Sequence, residues 1–119
     1  MGPMQLEYPD GLVKMIARIW HGITPDSKSD EYYDYIMRTG VAEVGSKEGN
    51  LGVFVLRRVH DKQAEFLFVS LWESFDAIRE FAGSDIERAV YYPKDKEFLI
   101  QLEPSVNHYE VLVHPQTTK

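Results

Sequence analysis

Val53-Phe54-Val55-Leu56-Arg57-Arg58-Val59, then His60-Asp61-Lys62-Gln63, then Ala64-Glu65-Phe66-Leu67-Phe68-Val69-Ser70-Leu71-Trp72-Glu73 is the stretch that decides the fold. Both flanking runs are rich in β-branched and aromatic residues, and a short polar break separates them. Two such runs predict a β-hairpin in the middle of the chain. Side chains alternate across a strand, so Phe66, Phe68, Ser70 and Trp72 share one face, while Leu67, Val69 and Leu71 share the other. Both faces are apolar.

Upstream, Leu12 to Ile23 alternates well enough for a first strand, with Ile16, Arg18 and Trp20 on one side and Ala17, Ile19 and His21 on the other. Thr24-Pro25-Asp26-Ser27 reads as a helix entry, with Asp26 or Ser27 accepting from the first free amides. Tyr32, Tyr35, Ile36 and Thr39 recur at helical spacing, and Gly40 is the expected stop. Glu43 to Gly52 is polar and glycine-rich, hence a loop. Downstream, Ser74 is a good cap for a helix with Ala77, Ile78, Phe81 and Ala82 on its apolar stripe, and Gly83 ends it. Asp85 to Val90 fits one more helical turn, Phe98 to Leu102 is a short apolar piece, and Pro104 to Val113 is the last strand.

The order strand, helix, strand, strand, helix, strand predicts an α+β ferredoxin-like βαββαβ fold with an antiparallel four-stranded sheet. Right-handed crossovers place the first strand between the third and the fourth, and the second strand outside the third. One helix layer covers one face. The second apolar face calls for a partner sheet, most simply through a two-fold homodimer. The expected organisation is an N-terminal arm over residues 1–12, one domain over 13–114 and a tail over 115–119.

Composition agrees with one small globular domain: 119 residues, 44% hydrophobic and 27% charged. No apolar run approaches the roughly 20 residues of a membrane span. With 13 Lys+Arg against 19 Asp+Glu the net charge is −6, which argues against a nucleic-acid partner. The absence of cysteine excludes disulfides, thiolate metal sites and a cysteine nucleophile, and fits the expected cytoplasmic location.

Ser70-Leu71-Trp72-Glu73-Ser74 running into Ala77-Ile78-Arg79-Glu80-Phe81-Ala82-Gly83, then Asp85-Ile86-Glu87-Arg88-Ala89, Tyr91-Tyr92-Pro93 and His108-Tyr109-Glu110-Val111, together resemble the antibiotic biosynthesis monooxygenase (ABM) superfamily. The early Gly22-Ile23-Thr24-Pro25 turn and the Gly52-Val53-Phe54-Val55-Leu56 strand add to the likeness, which spans about residues 14 to 113. The resemblance implies a dimeric α/β barrel with a ligand cavity between helices and sheet. It also implies a small monooxygenase that needs no cofactor and acts on, or binds, an aromatic or polyketide-type molecule. Other members of that superfamily degrade haem with a strand tryptophan, a first-strand asparagine and a helical histidine. Trp72 matches the first, the first strand has no asparagine, and the histidine position falls at Val90 or Tyr91. A non-catalytic ligand-binding or stress-response dimer is the alternative.

On this reading His108, Trp72 and His21 are the candidate catalytic residues, and Phe68, Ser70, Trp72, Tyr32, Ile36, Tyr91 and Arg18 the candidate ligand-binding ones. Trp72 either stacks on a flat ligand or fills the core. His21 and His108 fall at the same end of the sheet, and register decides whether they share a face. Arg18 either anchors an anion in the cavity or pairs with a carboxylate such as Glu110. No metal is expected, because two histidines need further ligands at fixed spacing and none follow.

Overall fold

The computed structural model describes residues 15–115. The expected arm, 1–12, and the tail beyond residue 115 therefore lie outside the described residues. Four strands form one antiparallel sheet: β1 (Ile16–Pro25), β2 (Asn50–His60), β3 (Gln63–Trp72) and β4 (Asn107–Glu110), in the order β2-β3-β1-β4. This is the ferredoxin-like order that the crossover rule predicts. The hairpin is tighter than the expected four-residue break. His60 pairs with Gln63, and Asp61 and Lys62 both take positive φ, 50° and 64°. Two consecutive left-handed residues make the primed turn whose twist matches the strands it joins.

One face of the sheet is covered by helices α1 (Ser29–Ile36), α2 (Ala42–Gly45), α3 (Phe75–Ala82) and α4 (Asp95–Phe98). Tyr32, Tyr35 and Ile36 are buried at helical spacing on α1. The helical chain does not stop at Gly40. It continues through a π-helical turn, Met37–Val41, into α2, because Gly40 is buried against the Phe68 ring and the backbone stays helical around it. The expected Glu43–Gly52 loop thus shrinks to a few residues. Nor do Asp26 and Ser27 cap α1: no side-chain cap bond forms there, and the Asp26 amide donates to the Lys62 carbonyl instead. Helix α3 behaves as expected, with Ser74 Oγ accepting from the Ala77 amide at 3.1 Å and Gly83 closing it at φ 92°.

Residues 84–106 depart most from expectation. The predicted helical turn over Asp85–Val90 is cut to a single hydrogen-bonded turn, in which the Arg88 amide bonds the Asp85 carbonyl at 3.2 Å. The Ala89 amide instead bonds the Pro104 carbonyl, and the Val106 amide the Glu87 carbonyl, around an Arg88–Ser105 bridge. These bonds hold the backbone extended and shorten β4, expected over Pro104–Val113, to four residues. Beyond β4, the free edge of β1 receives the Ile100 amide at the Ile23 carbonyl, 2.8 Å.

Beneath the helices lie two apolar clusters. Tyr32, Tyr35, Ile36, Ala64, Phe66 and Leu99 form one, and Ile16, Val44, Trp72 and Ile78 the other; Phe68 touches both. The opposite face carries Ala17, Ile19, Leu67, Val69, Leu71, Phe54, Leu56 and Tyr109 by register. Phe54 and Leu56 are each 49% exposed and Tyr109 54%, so no element among the described residues covers them. No helix among the described residues is long and apolar enough to cross a membrane.

Candidate functional site

A cavity lies where the two clusters meet. Strand β1 contributes Arg18 and Trp20, β3 contributes Phe68 and Ser70, and α1 contributes Tyr32 and Ile36. Thr39 and Gly40 come from the π turn, Phe81 from α3, and Val90, Tyr92, Asp95 and Val106 from the irregular segment and its flanks. The space inside is about 550 Å³ including the part open to solvent, of which the centre of a water-sized sphere can reach about 60 Å³. The site is therefore narrow as it stands: it holds a few waters, and a multi-ring ligand needs wall side chains to move. Two small residues help make the room. A Cβ on Gly40 would sit 3.1 Å from the Phe68 ring, and Ser70 stands where its strand neighbours on that face carry Phe68 and Trp72.

Arg18 is the cation of this wall and is 4% exposed. Its Nη1 donates to the Ile86 carbonyl and, at 3.1 Å, to Nε2 of His108; its Nη2 donates to the Arg88 carbonyl at 2.8 Å. The guanidinium also lies 5.7 Å from the centre of the Phe81 ring. Burial lowers its pKa to about 10, so it remains charged at neutral pH. No carboxylate pairs with it among the described residues. Glu110, considered as a partner, sits opposite Ile16, while His108 is the residue opposite Arg18. Burial and the Arg18 charge bring His108 down to about 4, so its imidazole is neutral and accepts from the guanidinium.

Asp95 is the carboxyl of the wall. Tyr32 donates to its Oδ1 at 3.1 Å and the Tyr92 amide to its Oδ2 at 2.5 Å. Burial raises its pKa above the ordinary value despite those two bonds. Tyr32 and Tyr92 are pushed well above the usual phenol range, first by burial and then by the nearby carboxylates, Asp95 for Tyr32 and Glu43 for Tyr92. The Tyr92 hydroxyl is buried near Glu43, with no hydrogen bond of good geometry among the described residues.

Of the residues singled out from the sequence, Arg18, Tyr32, Ile36, Phe68 and Ser70 come together around the cavity. Trp72 stands behind it. Its ring is fully buried, stacks on Phe81 at 5.7 Å and donates to Ser70 Oγ at 2.8 Å, which is the core reading of that residue. Tyr91 also stands behind the wall: its hydroxyl accepts from Trp20 Nε1 at 3.2 Å and donates to the Glu103 carbonyl at 2.5 Å. The two histidines do not share a face. His108 is beside Arg18 under the helices, whereas His21 is on the open face between Glu103 (2.5 Å) and Glu65 (2.7 Å). Trp20, Asp95 and Tyr92 line the cavity without having been singled out. Trp20 shares strand parity with Arg18 and was within reach of that signal, whereas Asp95 sits in Lys94-Asp95-Lys96-Glu97, which reads as a solvated charge run.

No family model matches the chain, and no curated protein matches it. Solved structures do. A proposed antibiotic biosynthesis monooxygenase from Bacillus cereus superposes with a TM-score of 0.57 at 19% identity, covering 85% of this chain and 96% of the other. A second protein of that description, from Nitrosomonas europaea, gives 0.60 at 14% identity over 90% and 96%. The haem degrader MhuD from Mycobacterium tuberculosis, solved with two haems in its active site, gives 0.57 at 22% identity over 83% and 97%. The chain therefore has the ABM-type ferredoxin-like fold.

Haem does not fit the donors present. Among the described residues no histidine lines the cavity, Tyr91 has its hydroxyl engaged in two bonds, and burial keeps the phenols of Tyr32 and Tyr92 protonated, so none of these residues offers a ready iron ligand to the space.

Proposed function

We propose that the protein is a small ABM-type monooxygenase that binds an aromatic, polyketide-type molecule in this cavity and oxidises it with dioxygen, without an organic cofactor. The observation that carries the reading is the cavity itself: aromatic walls under a helix layer, with one buried cation, Arg18, and one buried carboxyl, Asp95. In a reaction of this class the substrate supplies the electrons. A ring CH₂ becomes C=O while one oxygen atom of O₂ enters the product and the other leaves as water. The protein supplies a dry pocket and a proton acceptor. Asp95 is the acceptor in this reading, its basicity raised by burial. Trp72 and His108 act as positioning residues, through Ser70 and Phe81 and through Arg18 respectively. The second copy of a homodimer covers the open sheet face, and a cysteine-free chain suits the cytoplasm.

Oxygen uptake with an anthrone or a quinol tests the activity. The reading expects turnover that falls at least roughly tenfold in Asp95→Asn with the far-UV spectrum unchanged. Ligand binding without uptake leaves the non-catalytic binding dimer in its place; neither binding nor uptake removes both. Sedimentation at micromolar concentration tests the dimer, and monomer alone sinks it.

A further inference from the structure

Arg18 is a charge with no counter-charge among the described residues. Burying an unpaired ion costs several kcal/mol unless something compensates it. Here only two backbone carbonyls, a neutral imidazole and the face of Phe81 do so. Three of the five guanidinium N–H groups are used, both on Nη1 and one on Nη2. The Nε N–H and one Nη2 N–H have no protein partner among the described residues, and Nε and Nη2 border one edge of the planar group. That edge is the one that grips a carboxylate with two parallel hydrogen bonds. The other charged group of the wall, Asp95, is occupied by Tyr32 and Tyr92 and forms no ion pair with Arg18.

We propose that the ligand of this cavity is an anion, an aromatic acid whose carboxylate meets the free edge of Arg18 while its ring lies against the aromatic walls. The inference rests on the cavity being the ligand site and adds the chemical class of the ligand. His108 serves the same end. By accepting from Nη1 it orients the guanidinium without neutralising it, which a carboxylate at that position would do.

Matched probes test the charge separately from the cavity. Titration calorimetry of the full chain at pH 7 compares 2-naphthoate with 2-naphthamide, equal in ring and nearly equal in size. The naphthoate binds roughly tenfold tighter or more, the scale of a charge-assisted bond. In Arg18→Met the ratio of the two affinities collapses to about one, and in Arg18→Lys part of it survives. Equal binding of the two probes by the wild-type chain overturns the anion inference and leaves the cavity reading intact. A preference for naphthoate that persists in Arg18→Met also overturns it. Binding of neither probe overturns both. The wild-type comparison stands even if the variants fail to fold.

Discussion

The two faces of the sheet are built from the same kinds of residue and have opposite electrostatics. Under the helices, a charged Arg18 and a neutral His108 are buried together, and among the described residues the guanidinium's other hydrogen-bond partners are carbonyls. On the open face, His21 is held between two carboxylates, one of which also binds Arg58 at 2.5 Å. Burial rules the first pair and lowers both pKa values. On the second face burial also pulls His21 down, but the hydrogen bonds and charges of Glu103 and Glu65 outweigh it and leave the pKa raised. One residue type is thus a neutral acceptor on one face of the sheet and binds its proton more tightly on the other, because two carboxylates flank it there.

The largest test of that contrast is Trp72→Ala on the covered face. It removes a fully buried ring, its stack on Phe81 and its bond to Ser70, and lowers stability by about 3–5 kcal/mol in urea unfolding. A loss under about 1 kcal/mol breaks the picture of a packed wall behind the cavity.

Next comes the pH profile. His108 is protonated at about 4 when folded and near 6.5 when unfolded, so the unfolded chain binds the extra proton in between. Its contribution is complete above 6.5 and falls away as pH drops towards 4, by on the order of 3 kcal/mol. Unfolding midpoints measured between pH 7 and 4 should fall less steeply in His108→Gln than in the wild type.

His21 works with the opposite sign and a smaller amplitude, its side chain being 32% exposed. A raised folded pKa gives stability that is whole below 6.5 and lost as pH rises through the raised value. His21→Gln should therefore cost stability at pH 6 and little at pH 9; an equal cost at both removes the imidazolium.

The smallest change in chain stability comes from Leu56→Asp on the open face. A half-exposed position alters the monomer by no more than about 0.5 kcal/mol, yet the charge should shift sedimentation of the proposed dimer towards monomer.

Much of this contrast was legible before any coordinates. Strict alternation in Ala64 to Trp72 separates the faces, and the connection rule orders the strands. What stayed hidden has physical reasons. Arg18 is satisfied by the carbonyls of Ile86 and Arg88, and carbonyls are the same in every sequence. The histidine faces depended on a register that composition does not specify. Asp95 is buried in a tetrapeptide of charges because Tyr32 and the Tyr92 amide meet it, a tertiary fact with no local signature. Gly40 reads as a helix stop, and packing against Phe68 overrides that propensity.

The π turn at Met37–Val41 has a consequence for chain length. A wider hydrogen-bonded turn holds one residue more than the α-helical repeat, so α1 and α2 are one continuous helix carrying a single-residue insertion. Removing Thr39 would close the π turn to a regular α-helical one, and because the wider turn sweeps its extra residue through about the same total angle, the residues after it would keep their facing. Val44 would keep its place beside Trp72 and Ile78, and the change would fall on the turn itself, where Gly40 meets the Phe68 ring. The extra residue is therefore spent locally: it widens the chain where Gly40 forms the cavity wall against Phe68 and leaves the helix on either side in register.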